Sequence, residues 1–147
     1  MYNFKVSDEK EYKVKFGYKP TLKENIVSRF VKVRQTDENL TEAEQMEKFE
    51  EALLFLPEAL LVGLQVYHKD EFGYDYDSKD GKSEKVDIVM DLIDEYTAND
   101  GDPTELLSAL ENELLTDSFL SNLFRQTVEA EEKKTTPKKT ATKKTTK

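Results

Sequence analysis

Cysteine is absent from the 147 residues, which excludes disulfides, thiolate metal sites and cysteine nucleophiles. Histidine occurs once, at His68, so a zinc-binding histidine pair is excluded as well. Five glycines and four prolines leave little material for a loop-rich β-sandwich. No Gly-rich phosphate loop or dinucleotide fingerprint occurs, and no serine sits in a nucleophile-elbow context that His68 might serve. The longest apolar stretch, ALLFLPEALLVGL from Ala52 to Leu64, is broken by Pro57 and Glu58 and falls short of the roughly 20 residues of a bilayer span. The opening MYNFKVSDEKEYKVKF alternates apolar with charged residues and has no apolar core of a signal peptide. A soluble, intracellular protein without catalysis, metal or cofactor is expected.

What is present is charge. Charged residues make up 36% of the chain and hydrophobic ones 37%, yet 8 Phe, 7 Tyr and many Leu suffice for a modest core. The net charge of −9 hides a division: all 31 acids lie at or before Glu132, and 7 of the 22 basic residues lie in 133–147. The remaining 15 basic residues against 31 acids leave the body at −16, which would repel phosphate backbones. The segment KKTTPKKTATKKTTK has one apolar residue, Ala141, and cannot bury enough surface to offset its ordering entropy. It lacks aromatics for stacking and arginines for base reading, so nucleic acid is an unfavoured partner. A single domain over 1–128 and a disordered basic tail over 129–147 are expected.

The spacing predicts an α+β fold, mostly α, with an N-terminal β-hairpin packed on a bundle of about five helices. Phe4-Lys5-Val6 and Tyr12-Lys13-Val14-Lys15-Phe16 alternate as half-buried strands around the polar Ser7–Lys10. Thr21-Leu22-Lys23-Glu24, Thr41-Glu42-Ala43-Glu44 and Asp102-Pro103-Thr104-Glu105 each place a capping oxygen three residues before a glutamate, as a helix start requires. Helical stripes follow: Leu22, Ile26, Phe30, Val33; Met46, Phe49, Leu53, Leu56, Leu60; and Leu107, Leu110, Leu114, widened by Leu106 and Leu115. A fourth runs from about Ser83 through Val86, Val89, Met90, Ile93 and Tyr96 to a stop at Asn99-Asp100-Gly101. A fifth covers Ser118 to about Val128. Pro57 implies a kink or two helices in the second stripe.

One loop has the look of a chemical site. His68 to Gly81 (HKDEFGYDYDSKDG) holds the only histidine and several carboxylates and aromatics. As a calcium loop starting at Asp75 it fails: the fifth position is Lys79, Gly81 is seventh rather than sixth, and the twelfth is Val86. A looser metal set of His68, Asp70 and Asp75 competes with the plainer reading of solvated acids. Phe72, Tyr74 and Tyr76 are expected to pin the loop with rings inward and hydroxyls toward water.

Around Pro57 the apolar residues leave one face, since Leu53, Leu54, Phe55 and Leu56 are consecutive. A helix apolar all round must be buried all round, by its own domain or by a partner. The candidate partner surface is therefore Leu53, Leu54, Phe55, Leu56, Leu60, Leu61 and Leu64 with Phe119, Leu120, Leu123 and Phe124. If these face a guest, aspartate at Leu56 or Leu60 should abolish binding and spare the fold.

The runs EYKVKFGY (11–18), LLFLPEALLVGLQ (53–65) and HKDEFGYDYD (68–77), with Gly101-Asp102 before the last helices, resemble the tail assembly chaperones of siphophages and prophages of Gram-positive bacteria. The likeness runs in order through most of residues 1–125 and leaves out the Lys-Thr tail. The resemblance implies an acidic chaperone of the host cytoplasm, absent from the mature virion. It implies that the chain coats the tape measure protein, keeps it soluble and recruits tail tube (major tail) subunits, with self-association open. Members are often extended through a ribosomal frameshift, and the Lys pairs at 133–134, 138–139 and 143–144 are encodable by slippery adenine-rich codons. A reading from another class is an acidic regulatory protein, its body a nucleic-acid mimic or its tail a nucleic-acid anchor.

Overall fold

A computed structural model describes residues 2–35 and 39–123. Strands β1 (Tyr2–Ser7) and β2 (Lys10–Val14) pair antiparallel, with Tyr2 opposite Val14 and Phe4 opposite Tyr12. The alternation turns Phe4, Val6 and Val14 inward and leaves Asn3, Lys5 and Lys13 in water. A two-stranded ribbon is marginal by itself. This one lies against helices α5 (Lys82–Ala98) and α6 (Pro103–Thr116), with Phe4 edge-on to Tyr96 at 5.2 Å.

The hairpin leads into α1 (Tyr18–Lys23) and α2 (Ile26–Arg34). Here the expected helix start is overturned. Thr21 caps nothing: it lies inside α1, fully buried, and Glu24 ends that helix instead of folding back on Thr21. The reason is that the Glu24 carboxylate is engaged by Tyr74, Lys79 and Lys82. Asn25 then takes a left-handed conformation (φ 55°), which asparagine tolerates, and α2 begins at Ile26. Ile26 and Phe30 enter the core, while Leu22, expected on the same stripe, stays exposed.

Helix α3 (Glu42–Gly63) starts on the expected capping box. Thr41 Oγ1 accepts from the Glu44 amide at 3.2 Å, and the Glu44 carboxylate accepts from the Thr41 amide at 2.9 Å. The helix spans 22 residues, about 33 Å, and runs through Pro57 without dividing. Proline removes one backbone bond and crowds the preceding turn, at about 3 kcal/mol. Burial of the turns on either side outweighs that. From Phe55 to Leu64 only Glu58 is not buried, and α2, α5 and α6 all pack on α3. Gly63 lets the hairpin approach: a Cβ there would come within 2.7 Å of Val14, and the Lys15 amide donates to the Gly63 carbonyl at 2.9 Å.

A short α4 (Lys69–Phe72), not expected from the sequence, leads to a turn closed at Gly81, whose φ of 85° suits glycine. Helix α5 ends as expected at Asn99-Asp100-Gly101. Asp102 caps α6 by accepting from the Thr104 amide at 2.9 Å, with Pro103 in the first turn. Leu106, Leu110 and Leu114 are buried, so the stripe of α6 is centred on Leu106 and Leu107 only flanks it. Ser118 is buried and caps the chain's next turn through the Leu120 amide. The expected helix from 118 begins as a turn, with 121–123 helical; its remainder, the join at 129–132 and the Lys-Thr tail lie outside the described residues.

Leu60→Ala is expected to lower unfolding stability by about 2–5 kcal/mol, because the site is enclosed on all sides. Thr41→Ala should cost about 1 kcal/mol through the lost cap. Urea unfolding followed by circular dichroism measures both.

Candidate functional site

The residues expected to meet a partner divide into two groups. Phe55, Leu56, Leu60, Leu61 and Leu64 are core residues, each at most 4% exposed and enclosed by the chain's own helices and hairpin. They offer no surface, and aspartate at Leu56 or Leu60 is now expected to unfold the protein. Leu53, Leu54, Phe119 and Leu123 do reach the surface, at 36%, 60%, 39% and 60% exposure, and Leu120 is half-buried against the core. Phe124 lies outside the described residues.

Two further exposed apolar residues of α3 were missed as site candidates. Met46 is 64% exposed and Phe49 48% exposed, and both belong to the same helical stripe as Leu53, Leu56 and Leu60. The spacing is three, four, three and four, the repeat of a helix-packing seam. Its inner half, Leu56 and Leu60, is filled by the body. Its outer half, Met46, Phe49 and Leu53, carries the same side chains past the edge of that body. The signal was in the sequence as periodicity, but periodicity does not say where cover ends.

Acids surround the outer half. Glu42, Glu44, Glu47, Glu50 and Glu51 are all exposed along it. Glu50 stands one turn from both Met46 and Leu53, and Glu42 one turn before Met46. Lys48 points the other way and donates to the carbonyls of Lys32 and Gln35, closing the C-terminus of α2. Beside it, a shallow hollow of about 250 Å³ separates α2 from α3, with Val33, Leu54 and Phe55 in its walls. A second, smaller apolar patch pairs the exposed ring of Tyr18 with Phe119 at 5.1 Å, near the junction of the hairpin and α1.

The His68–Gly81 loop is a clamp. Tyr74 packs its ring on the core and Tyr76 sits edge-on to Tyr74, but their hydroxyls do not seek water. Tyr74 donates to Glu24 at 2.6 Å and Tyr76 to Gln65 at 2.8 Å. Gln65 is itself buried and donates to the carbonyls of Leu61 and Phe72. His68 Nε2 accepts from the Lys13 amide at 3.0 Å, and its ring meets Tyr12 edge-on. Asp75 accepts from the amides of Asp77 and Ser78 within its own turn. Two members of the looser metal set are therefore already hydrogen-bonded, His68 to the hairpin and Asp75 within its own turn, and among the described residues no group of three or more such side chains is placed to hold a metal ion.

Glu24 ties this loop to the body. Its side chain is only 4% exposed and accepts from Lys79 at 2.9 Å and Lys82 at 2.8 Å, and Lys82 also reaches Glu58 at 3.1 Å. Arg29 completes the chain of charges at 3.0 Å from Glu58, stacked on Phe55. Burial alone would raise the pKa of both carboxylates. Hydrogen bonds from Lys82, Tyr74 and Lys79 to Glu24, and from Lys82 and Arg29 to Glu58, outweigh it and hold both below the ordinary value of 4.5. Burial, and then the Glu24 bond, push the Tyr74 hydroxyl well above its usual range. Both carboxylates in the cluster are paired with cations, and the pairs join the α1–α2 region, the loop and the start of α5 to α3.

No helix among the described residues is long and apolar enough to cross a membrane. No family model, curated protein or solved structure matches the chain.

A carboxylate whose folded pKa is depressed lends stability that is complete above its unfolded pKa and is lost as the pH falls through the folded value. Urea unfolding is therefore expected to give constant stability down to about pH 5 and a decline below about pH 4.5. Glu24→Gln should make that decline shallower and lower stability at neutral pH by about 2–3 kcal/mol, since two lysines lose a buried anion. An unchanged acid limb in the variant would remove Glu24 from this account.

Proposed function

We propose that the chain is a tail assembly chaperone of the siphophage and prophage kind. It acts without catalysis, binding the helical tape measure protein, keeping it soluble and helping to recruit tail tube subunits before the particle is complete. The observation that carries the reading is the outer half of α3, where Met46, Phe49 and Leu53 continue a packing seam into water. A long helical guest exposes apolar stripes until a tube closes around it, and it aggregates unless they are covered. A helix face lined with such side chains supplies cover of the right geometry. The body's excess of acids supplies the second need, since a complex of like-charged particles stays dispersed. Chaperoning also requires release, and a strip of three side chains gives a weak contact that becomes firm only when many copies line one guest.

The test is co-expression with the product of the long helical reading frame expected immediately downstream. That product is expected to remain in the supernatant and to elute with the chain on size exclusion. A tape measure protein equally soluble with and without the chain would overturn the proposal.

A further inference from the structure

We infer that the outer strip of α3 selects an amphipathic helix whose apolar stripe is edged with lysine or arginine. This gives the partner's chemistry to the reading above and rests on it. The strip itself asks for a helix, because Met46, Phe49 and Leu53 repeat at the three-four spacing that the same face already uses to pack Leu56 and Leu60 in the core. The charges choose among helices. Glu42 and Glu50 border the strip and Glu47 and Glu51 stand behind it, while the sole cation of this half, Lys48, is held by the carbonyls that end α2. A basic edge therefore meets carboxylates that form no ion pair among the described residues, and an acidic edge meets repulsion.

Two other occupants fit less well. A second copy would bring the bordering Glu42 and Glu50 of one α3 against those of its partner, with Lys48 already held by the carbonyls that end α2. The chain's own 133–147 segment has the charge, but its one apolar residue is Ala141, so it cannot fill a strip of Met, Phe and Leu. The strip is also short. Met46 to Leu53 rises only about 10 Å, two turns of helix, so each copy reads two turns of its guest. A long guest with a repeated basic-edged stripe would be lined by successive copies.

The experiment uses the full chain and two synthetic helices of about 28 residues with one leucine stripe in common, one edged with lysine and one with glutamate. Binding is read by fluorescence anisotropy at low and at high salt. The lysine-edged helix is expected to bind on the order of tenfold or more tightly than the other, and to lose that advantage at high salt. Met46→Asp with Phe49→Asp should abolish binding at an unchanged denaturation midpoint. Glu42→Gln with Glu50→Gln, which leaves the apolar strip intact, should narrow the preference for lysine.

Equal binding of the two helices overturns the inference. So does a wild-type dimer that Met46→Asp/Phe49→Asp converts to monomer, which would make a second copy the occupant. Full displacement of the lysine-edged helix by one equivalent of a 133–147 peptide would make the tail the occupant. A lysine preference that persists while the tape measure protein proves independently soluble sinks the functional reading alone. Solubilisation that survives Met46→Asp/Phe49→Asp sinks this inference alone.

Discussion

The ten residues from Phe55 to Leu64 must be kept from water on nearly every side, and the rest of the chain is arranged to do so. Only Glu58 in this stretch is not buried, and it leans toward Arg29 and Lys82. Helix α2 covers one flank through Phe30 on Phe55, α5 and α6 cover others, and the exit of the hairpin closes the end, where Gly63 admits Val14. A helix without a polar face cannot lie on a surface. It becomes the axis of the domain, and Pro57 is tolerated because the packing around it exceeds the loss of one backbone bond.

That demand explains how the charged cluster is used. Covering the axis brings the α1–α2 junction, the loop after α4 and the start of α5 to one place, and each arrives with polar groups that leave water. Glu24 takes Tyr74, Lys79 and Lys82, and Glu58 takes Lys82 and Arg29. A buried ion pair gives little net stability over apolar residues of the same shape, but losing one member leaves a buried charge alone. These bonds connect the loop carrying Tyr74 and Tyr76 to the body at Glu24 and Gln65.

The same helix supplies both the core and the candidate docking surface, with the boundary near Leu53. Inward of that point the seam is shared with α5 and α6; outward of it the same repeat stands among five glutamates. Strip and core are thus coupled mechanically, since α3 is continuous from Glu42 to Gly63. The inner half is packed by α2, α5 and α6, so the exposed strip and the core share one helix.

What the sequence determined alone was what a few neighbouring residues settle among themselves. The hairpin followed from alternation, the Thr41–Glu44 box and the Asp102-Pro103 start from bonds spanning two or three residues, and the end of α5 from Asn99-Asp100-Gly101. The tertiary structure decided what depends on distant partners. Thr21-Leu22-Lys23-Glu24 has the same local pattern as Thr41-Glu42-Ala43-Glu44, yet Glu24 is taken by groups 50 to 58 positions away and the cap never forms. Leu56 and Met46 lie on one stripe with equal claim to burial, and only the packing of the other elements on α3 buries the first and leaves the second open. Periodicity assigns a residue to a face; whether anything covers that face is settled by chain far off in sequence.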